Sequence, residues 1–364
     1  MPMTLGGDYT RGLIMERLRV ATMALVSVVL FPGWQTPASG VTTKSVLVLS
    51  LQSAAGAPRC SNSALRAEVF AAANSVRAYF AENSYGLASI SGQVSGPYTI
   101  AVGKTCDLVG WADQADAAAA AAGVRVSDYN STVYILPPES NALACIPGSA
   151  RRALRPGDRY GQRITIRENT CDSKFNIAHE LGHAFGVEHA SIAETYVPRP
   201  VPDVRQTIGR QLFYGDLSSV MGGILDGLVD PETERAMFNA TPHFNAPQKI
   251  SLGWLPASRV QTVTQGGTYR VAVLETAVSD VQALKVTAGD STYYMSYRRA
   301  VGFDSSLLSQ YVDKTNIHTS GTQQGVASTL HATLGDGQSY SNGRFTITQT
   351  SHDATHAHVR ISFP

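Results

Sequence analysis

The sequence predicts an α/β (α+β) protein: a mixed, twisted sheet with packed helices, followed by a C-terminal all-β segment of sandwich-like character. Three observations carry this prediction. Short β-branched runs alternate with Ala-rich stretches of helical period up to residue 258. Beyond residue 259, strand-like runs are punctuated by Gly, Ser, Asp and Asn, with no helical period among them. A chain of 364 residues with 43% hydrophobic content is also long enough to bury two ordinary cores.

Residues 1–40 read as an export leader. From Met15, itself an alternative start, a basic MERLR precedes an apolar run from Val20 to Phe31, the breakers Pro32 and Gly33, and the small residues TPASG. The apolar run is too short to span a bilayer comfortably, so a mature chain beginning near Val41, secreted and with no stable membrane span, is expected.

Lys44–Gln52, KSVLVLSLQ, is apolar and β-branched throughout, as a buried strand requires. Ala64–Asn83 carries Leu65, Val69, Val76 and Phe80 at helical spacing, with Gly86 beyond its end. LASISGQV and PYTIAV read as strands, WADQADAAAAAAGV as a helix stopped by Gly123, and TVYILPP and RITIREN as further strands. After residue 259, TYRVAVLE, ALKVTA, TYYMSYRR, RFTITQT and HAHVRISF supply the β segment. The chain therefore divides into 41–258 and 259–364.

Lys+Arg 29 nearly cancels Asp+Glu 28, so no global field draws nucleic acid or an anionic membrane. Any partner must be selected by a local site. Cys60, Cys106, Cys145 and Cys171 all follow the leader, and an even count in an exported chain favours two disulfides, with three pairings open. None has the close spacing of a structural zinc knuckle.

HELGHAFGVEH, residues 179–189, carries the chemistry. Phe175–Phe185 predicts a helix from which His179 and His183, one turn apart, project on one face. Two such imidazoles can reach a single zinc ion at about 2.0–2.1 Å. Gly186 can adopt a left-handed exit that brings His189 back as a third ligand. Glu180, beside the first ligand, is placed to act as general base on a water whose pKa the metal lowers toward about 7. Three imidazoles at this spacing gain nothing without a metal.

With its third histidine the motif resembles that of the metzincin zinc peptidases, H-E-x-x-H-x-x-G-x-x-H followed by a methionine turn. Met221, in YGDLSSVMGG and thirty-two residues after His189, takes the part of the turn methionine by that resemblance. The segments SYG, VYILPP, YGDLSSVMG, FNAPQKISLGW and YRRAVGFDSSL, in order between about Ser45 and Leu307, narrow it to the gametolysin group, peptidase family M11. The resemblance implies a metzincin-like catalytic domain over 41–258 with one catalytic Zn2+ ion, a deep cleft, and protein or peptide substrates, cell-wall glycoproteins in gametolysins themselves. Some metzincins carry a tyrosine two residues after the methionine. Gly223 stands there in this chain, and the role is not transferred to Tyr214.

Other signals are weaker. APRCSN at Cys60 is similar to a thiolate switch, but almost no chain precedes it to serve as a propeptide, so a disulfide is the simpler reading. RITIREN fits a strand against which an extended peptide pairs. His352, His356 and His358 read as solvent-facing residues rather than a second metal site, and His243, His318 and His331 as loop or surface residues. Two rival functions are a zinc hydrolase acting on a different amide, such as a wall peptide, and a non-catalytic binding protein.

Overall fold

A computed structural model describes residues 40–54, 56–138, 161–167, 174–193, 211–212, 214–223, 240–321 and 326–364. The leader, Cys145 and Cys171 lie outside the described residues. The first sheet is built around β1 (Thr42–Gln52), with β2 (Ala88–Thr99) on one side and β3 (Ser131–Leu136) on the other. β4 (Arg163–Arg167) follows β3, and among the described residues all pairings in this sheet are parallel. Its described strands are parallel because β1, β2 and β3 are joined by helical crossovers rather than tight hairpins.

A parallel sheet covered on both faces explains why the first strand is apolar throughout. Val46 and Val48 face a core with Leu65, Val69, Phe80, Ile177 and Leu181, whereas Leu47 and Leu49 face Trp111, Ala112, Ala115 and Ala119. The latter residues belong to α3 (Leu108–Ala121). On the first face the single helix expected over 64–83 is interrupted. α1 (Asn62–Arg66) runs into a π turn at Ala67–Ala71, and α2 (Val76–Asn83) starts afresh where the Ser75 hydroxyl accepts from the Ala78 N–H. LASISGQV and PYTIAV, read as two strands, are one continuous β2.

α4 (Lys174–Phe185) packs on the same face and leads into β5 (His189–Ala193) and the short β6 (Gln211–Leu212). α5 (Ala246–Ser251) begins with a capping box formed by Asn245 and Gln248. Nine strands follow: β7 (Val260–Thr262), β8 (Gly267–Ala272), β9 (Ala283–Ala288), β10 (Ser291–Arg298), β11 (Lys314–Ser320), β12 (Val326–Leu334), β13 (Ser339–Ser341), β14 (Thr346–His352) and β15 (His356–Ser362).

These strands form a seven-stranded mixed sheet, β6-β5-β12-β11-β10-β9-β7, and a four-stranded one, β13-β14-β15-β8. Val286, Met295 and Ile317 of the first share a core with Ile347, Val359 and Ile361 of the second. β5 and β6 precede residue 258 and yet pair into the larger sheet, β5 in parallel with β12. The change in composition near residue 259 thus runs through a shared sheet, and Gly40–Pro364 is one compact unit. Among the described residues no helix is long and apolar enough to cross a membrane.

Aromatic rings join the helices beneath α4. Phe80 lies 4.8 Å from Phe185 and 6.3 Å from both Phe244 and Trp254, centroid to centroid, and is fully buried. Phe80→Ala is expected to lower the unfolding free energy by about 3–5 kcal/mol through lost contacts and a residual cavity, measured by urea denaturation.

Candidate metal centre

α4 begins one residue before its expected start and ends at Phe185, with Phe175, Ile177, Ala178 and Leu181 buried against the parallel sheet. This fixes its opposite edge, from which His179 and His183 project with ring centroids 5.1 Å apart. Gly186 then adopts φ +105°, while the N–H groups of Gly186 and Val187 close on the Gly182 carbonyl. The chain reverses into β5, whose first residue is His189.

The three histidines meet. Their ligating nitrogens lie within 4.8 Å of one another, and His183 Nε2 is 3.0 Å from His189 Nε2. Two nitrogen lone pairs that close repel unless a proton or a metal cation lies between them. His179 Nδ1–H donates to the Val220 carbonyl and His183 Nδ1–H to the Val187 carbonyl, both at 2.7 Å. A carbonyl only accepts, so each Nδ1 carries the proton and each Nε2 keeps its lone pair for a ligand. Burial lowers the His179 pKa to about 4, against smaller upward effects of hydrogen bonding to Val220 and Gly222. The imidazole is neutral at physiological pH, the form that binds a metal.

Glu180, next to His179, is only 5% exposed. Met221 is fully buried, and its sulfur lies where a Cβ on Gly182 would come within 2.5 Å. The methionine therefore packs on the helix backbone between His179 and His183, and only glycine leaves room for it. The Ala190 N–H donates to the Met221 carbonyl at 2.9 Å, tying this turn to the strand that begins at His189.

Tyr214, to which the motif assigns no role, belongs to the same cluster. Its ring centroid is 3.7 Å from that of His189 and 6.1 Å from that of His179, nearly parallel to the latter. Its backbone is left-handed at φ +69°, uncommon for a residue with a side chain. The Tyr214 carbonyl accepts from the Gly223 N–H at 2.9 Å, and a Cβ on Gly223 would meet the Tyr214 ring at 3.2 Å. The glycine two residues after the methionine thus leaves space that the earlier tyrosine fills.

Three of the remaining histidines depart from expectation. His318 and His243 are fully buried rather than at the surface. His318 Nε2–H donates to Asp216 Oδ2 at 3.0 Å, and His243 Nε2–H donates to Glu82 at 2.8 Å while its Nδ1 accepts from Lys249. His331 is half-buried and hydrogen-bonded to Thr319, with burial and then His318 lowering its pKa to about 4. His356 pairs with Asp280 and His352 with Asp336. Among the described residues no second group of metal-ligating side chains converges. β4, which carries RITIR, is the outer strand of its sheet among the described residues.

Asp216 is buried in the turn before Met221. It accepts from the Ser218 N–H and hydroxyl, from Asn245 and from His318. Burial pushes this carboxyl up, but the His318 charge and the hydrogen bonds outweigh it and hold the pKa below 3.8. A carboxyl held down in the folded state contributes stability that is present above the unfolded value and is lost as pH falls through the folded one. Asp216→Asn is therefore expected to be less stable than wild type at pH 7 but to lose less stability between pH 5 and pH 2, read as urea midpoints across that range.

No curated protein shows significant similarity to the chain. Residues 44–357 match the family profile of gametolysin peptidase M11, an interval that begins in β1, includes α4 and the Met221 turn, and ends in β15. On that match over most of its length, the chain belongs to the gametolysin peptidase M11 family.

Proposed function

We propose that the protein is a secreted zinc-dependent metalloendopeptidase. The observation that carries this is the convergence of three buried imidazoles next to Glu180 in a chain of a peptidase family. His179, His183 and His189 would hold the ion through their ring nitrogens. Bound zinc supplies Lewis acidity, polarising the scissile carbonyl and acidifying a water.

The chain's own groups do the rest. Glu180 accepts a proton from the attacking water and returns it to the leaving amine, so one carboxyl serves as base and then as acid. The Val220 and Val187 carbonyls hold their protons on Nδ1 and keep two imidazoles in the ligating tautomer. Met221 forms an apolar floor beneath the ligands, and the Tyr214 ring covers His189. A metzincin-like layout, export by the leader and two disulfides belong to the same reading. The disulfide reading is supported by the lack of a free cysteine among the described residues, which also favours a disulfide at Cys60 over a thiolate switch.

Two outcomes test the proposal. Glu180→Gln is expected to retain one zinc per chain while cleavage of an unstructured protein such as casein falls about 100-fold or more. Full activity in that variant would refute the assigned base. A strong chelator is expected to abolish wild-type cleavage and added zinc to restore it. Zinc bound with no cleavage of any protein would favour a wall peptide or another amide as substrate.

A further inference from the structure

The turn carrying Met221 is short, polar and sealed from water: Asp216, Ser218, Ser219 and Val220 are all fully buried. Buried polar groups need partners, and those of this turn come largely from elsewhere in the chain. Arg298, at the end of β10, donates to the Ser218 carbonyl at 3.0 Å. Asn245 bridges Asp216 and Ser328 of β12, and the Ser219 hydroxyl donates to Gln248 of α5 at 2.7 Å.

His318 of β11 makes the longest reach in sequence of the bonds to Asp216, across 102 residues. Among the described residues its other ring nitrogen, Nδ1, finds no hydrogen-bond partner. A buried imidazole with one nitrogen unsatisfied is a poor filler of space, so its contribution lies in the bond it does make.

That bond connects to the metal centre through a short route. Asp216 holds Ser218 by both N–H and hydroxyl, the Ser219 hydroxyl accepts from the Met221 N–H, and between them Val220 presents the carbonyl that fixes His179 Nδ1–H. His183, by contrast, is oriented by Val187, within the exit of α4 itself. One ligand is thus aligned by a turn anchored on the C-terminal strands, and the other locally.

We propose that His318 is a positioning residue of the metal centre: by holding Asp216 it fixes the turn whose Val220 carbonyl orients His179. The consequence for metal binding rests on the metallopeptidase reading, but the alignment itself is a property of the metal-free protein. Its signature is asymmetry between two histidines on one helix, which general loosening of the fold does not produce.

The test compares His318→Leu with His318→Gln, whose amide can still donate to Asp216. In metal-free protein, proton–nitrogen NMR reads the Nδ1–H signals of His179 and His183 and their exchange with water. In His318→Leu, exchange at His179 is expected to accelerate about tenfold or more with His183 unchanged, and zinc affinity to fall about 10- to 100-fold, the range typical of lost ligand-orienting contacts. His318→Gln is expected to remain within about threefold of wild type on both readouts, on the same ground that the orienting contact is kept. Equal changes at both histidines, or none at His179, would overturn the proposal. Should His318→Leu not fold, Asp216→Asn is read in the same way, with the same asymmetry expected and its absence equally contrary. A wild-type protein that binds no zinc would refute the metallopeptidase reading while the two Nδ1–H signals still decide the role of His318.

Discussion

One ring nitrogen from each of three buried histidines lies within 4.8 Å of the other two, and lone pairs so close are reconciled only by a proton or a cation between them. Much of the surrounding structure answers that demand. Two backbone carbonyls, Val220 and Val187, accept the Nδ1 protons of His179 and His183. Gly186 makes the reversal that returns His189 to the cluster, and Gly182 leaves the helix surface bare for the Met221 sulfur. These features are geometric, and a side chain at Gly186 or Gly182 would disturb the geometry directly.

The support for the site extends well beyond α4. His189 opens β5 and pairs in register with Val326 of β12, so the third histidine is placed by a sheet composed mainly of C-terminal strands. Beneath it, fully buried Arg298 joins the Ser218 carbonyl to the carboxylates of Glu275 and Asp304. Burial pushes the Glu275 carboxyl up, which the nearby Arg298 charge opposes, and burial likewise pushes the Lys249 ammonium down. Charges so poorly solvated are costly unless their hydrogen bonds are complete, which makes such networks better at enforcing one arrangement than at adding stability. The family profile extends to residue 357, taking in these strands along with the helix.

The candidate site was legible because its signal is local. Spacings of four and six residues, with a glycine between, follow from helix geometry and a left-handed exit, and α4 and β5 appear where that logic puts them. KSVLVLSLQ was legible for a similar reason, since a strand buried on both faces is apolar at every position. What escaped was long-range. β11, KTNIHTS, is polar in composition yet buried through most of its length, because its histidine and threonines meet partners such as Asp216 and Gln349 that periodicity does not show. Tyr214 was set aside because it lies at an unfamiliar offset from Met221, and only the contact between its ring and Gly223 shows that one position fills the space left by the other. The break between α1 and α2 carried a readable cue, the Ser75 cap, which the continuous hydrophobic spacing around it outweighed.

As proposed, His179, His183 and His189 would together ligate one zinc ion. Zinc-edge X-ray absorption of the purified protein tests it most directly. Ligation by the three histidines would give a first shell of light atoms at about 2.0–2.1 Å with the multiple-scattering pattern of three imidazoles. A shell dominated by sulfur at about 2.3 Å, or one lacking imidazole scattering, would contradict it.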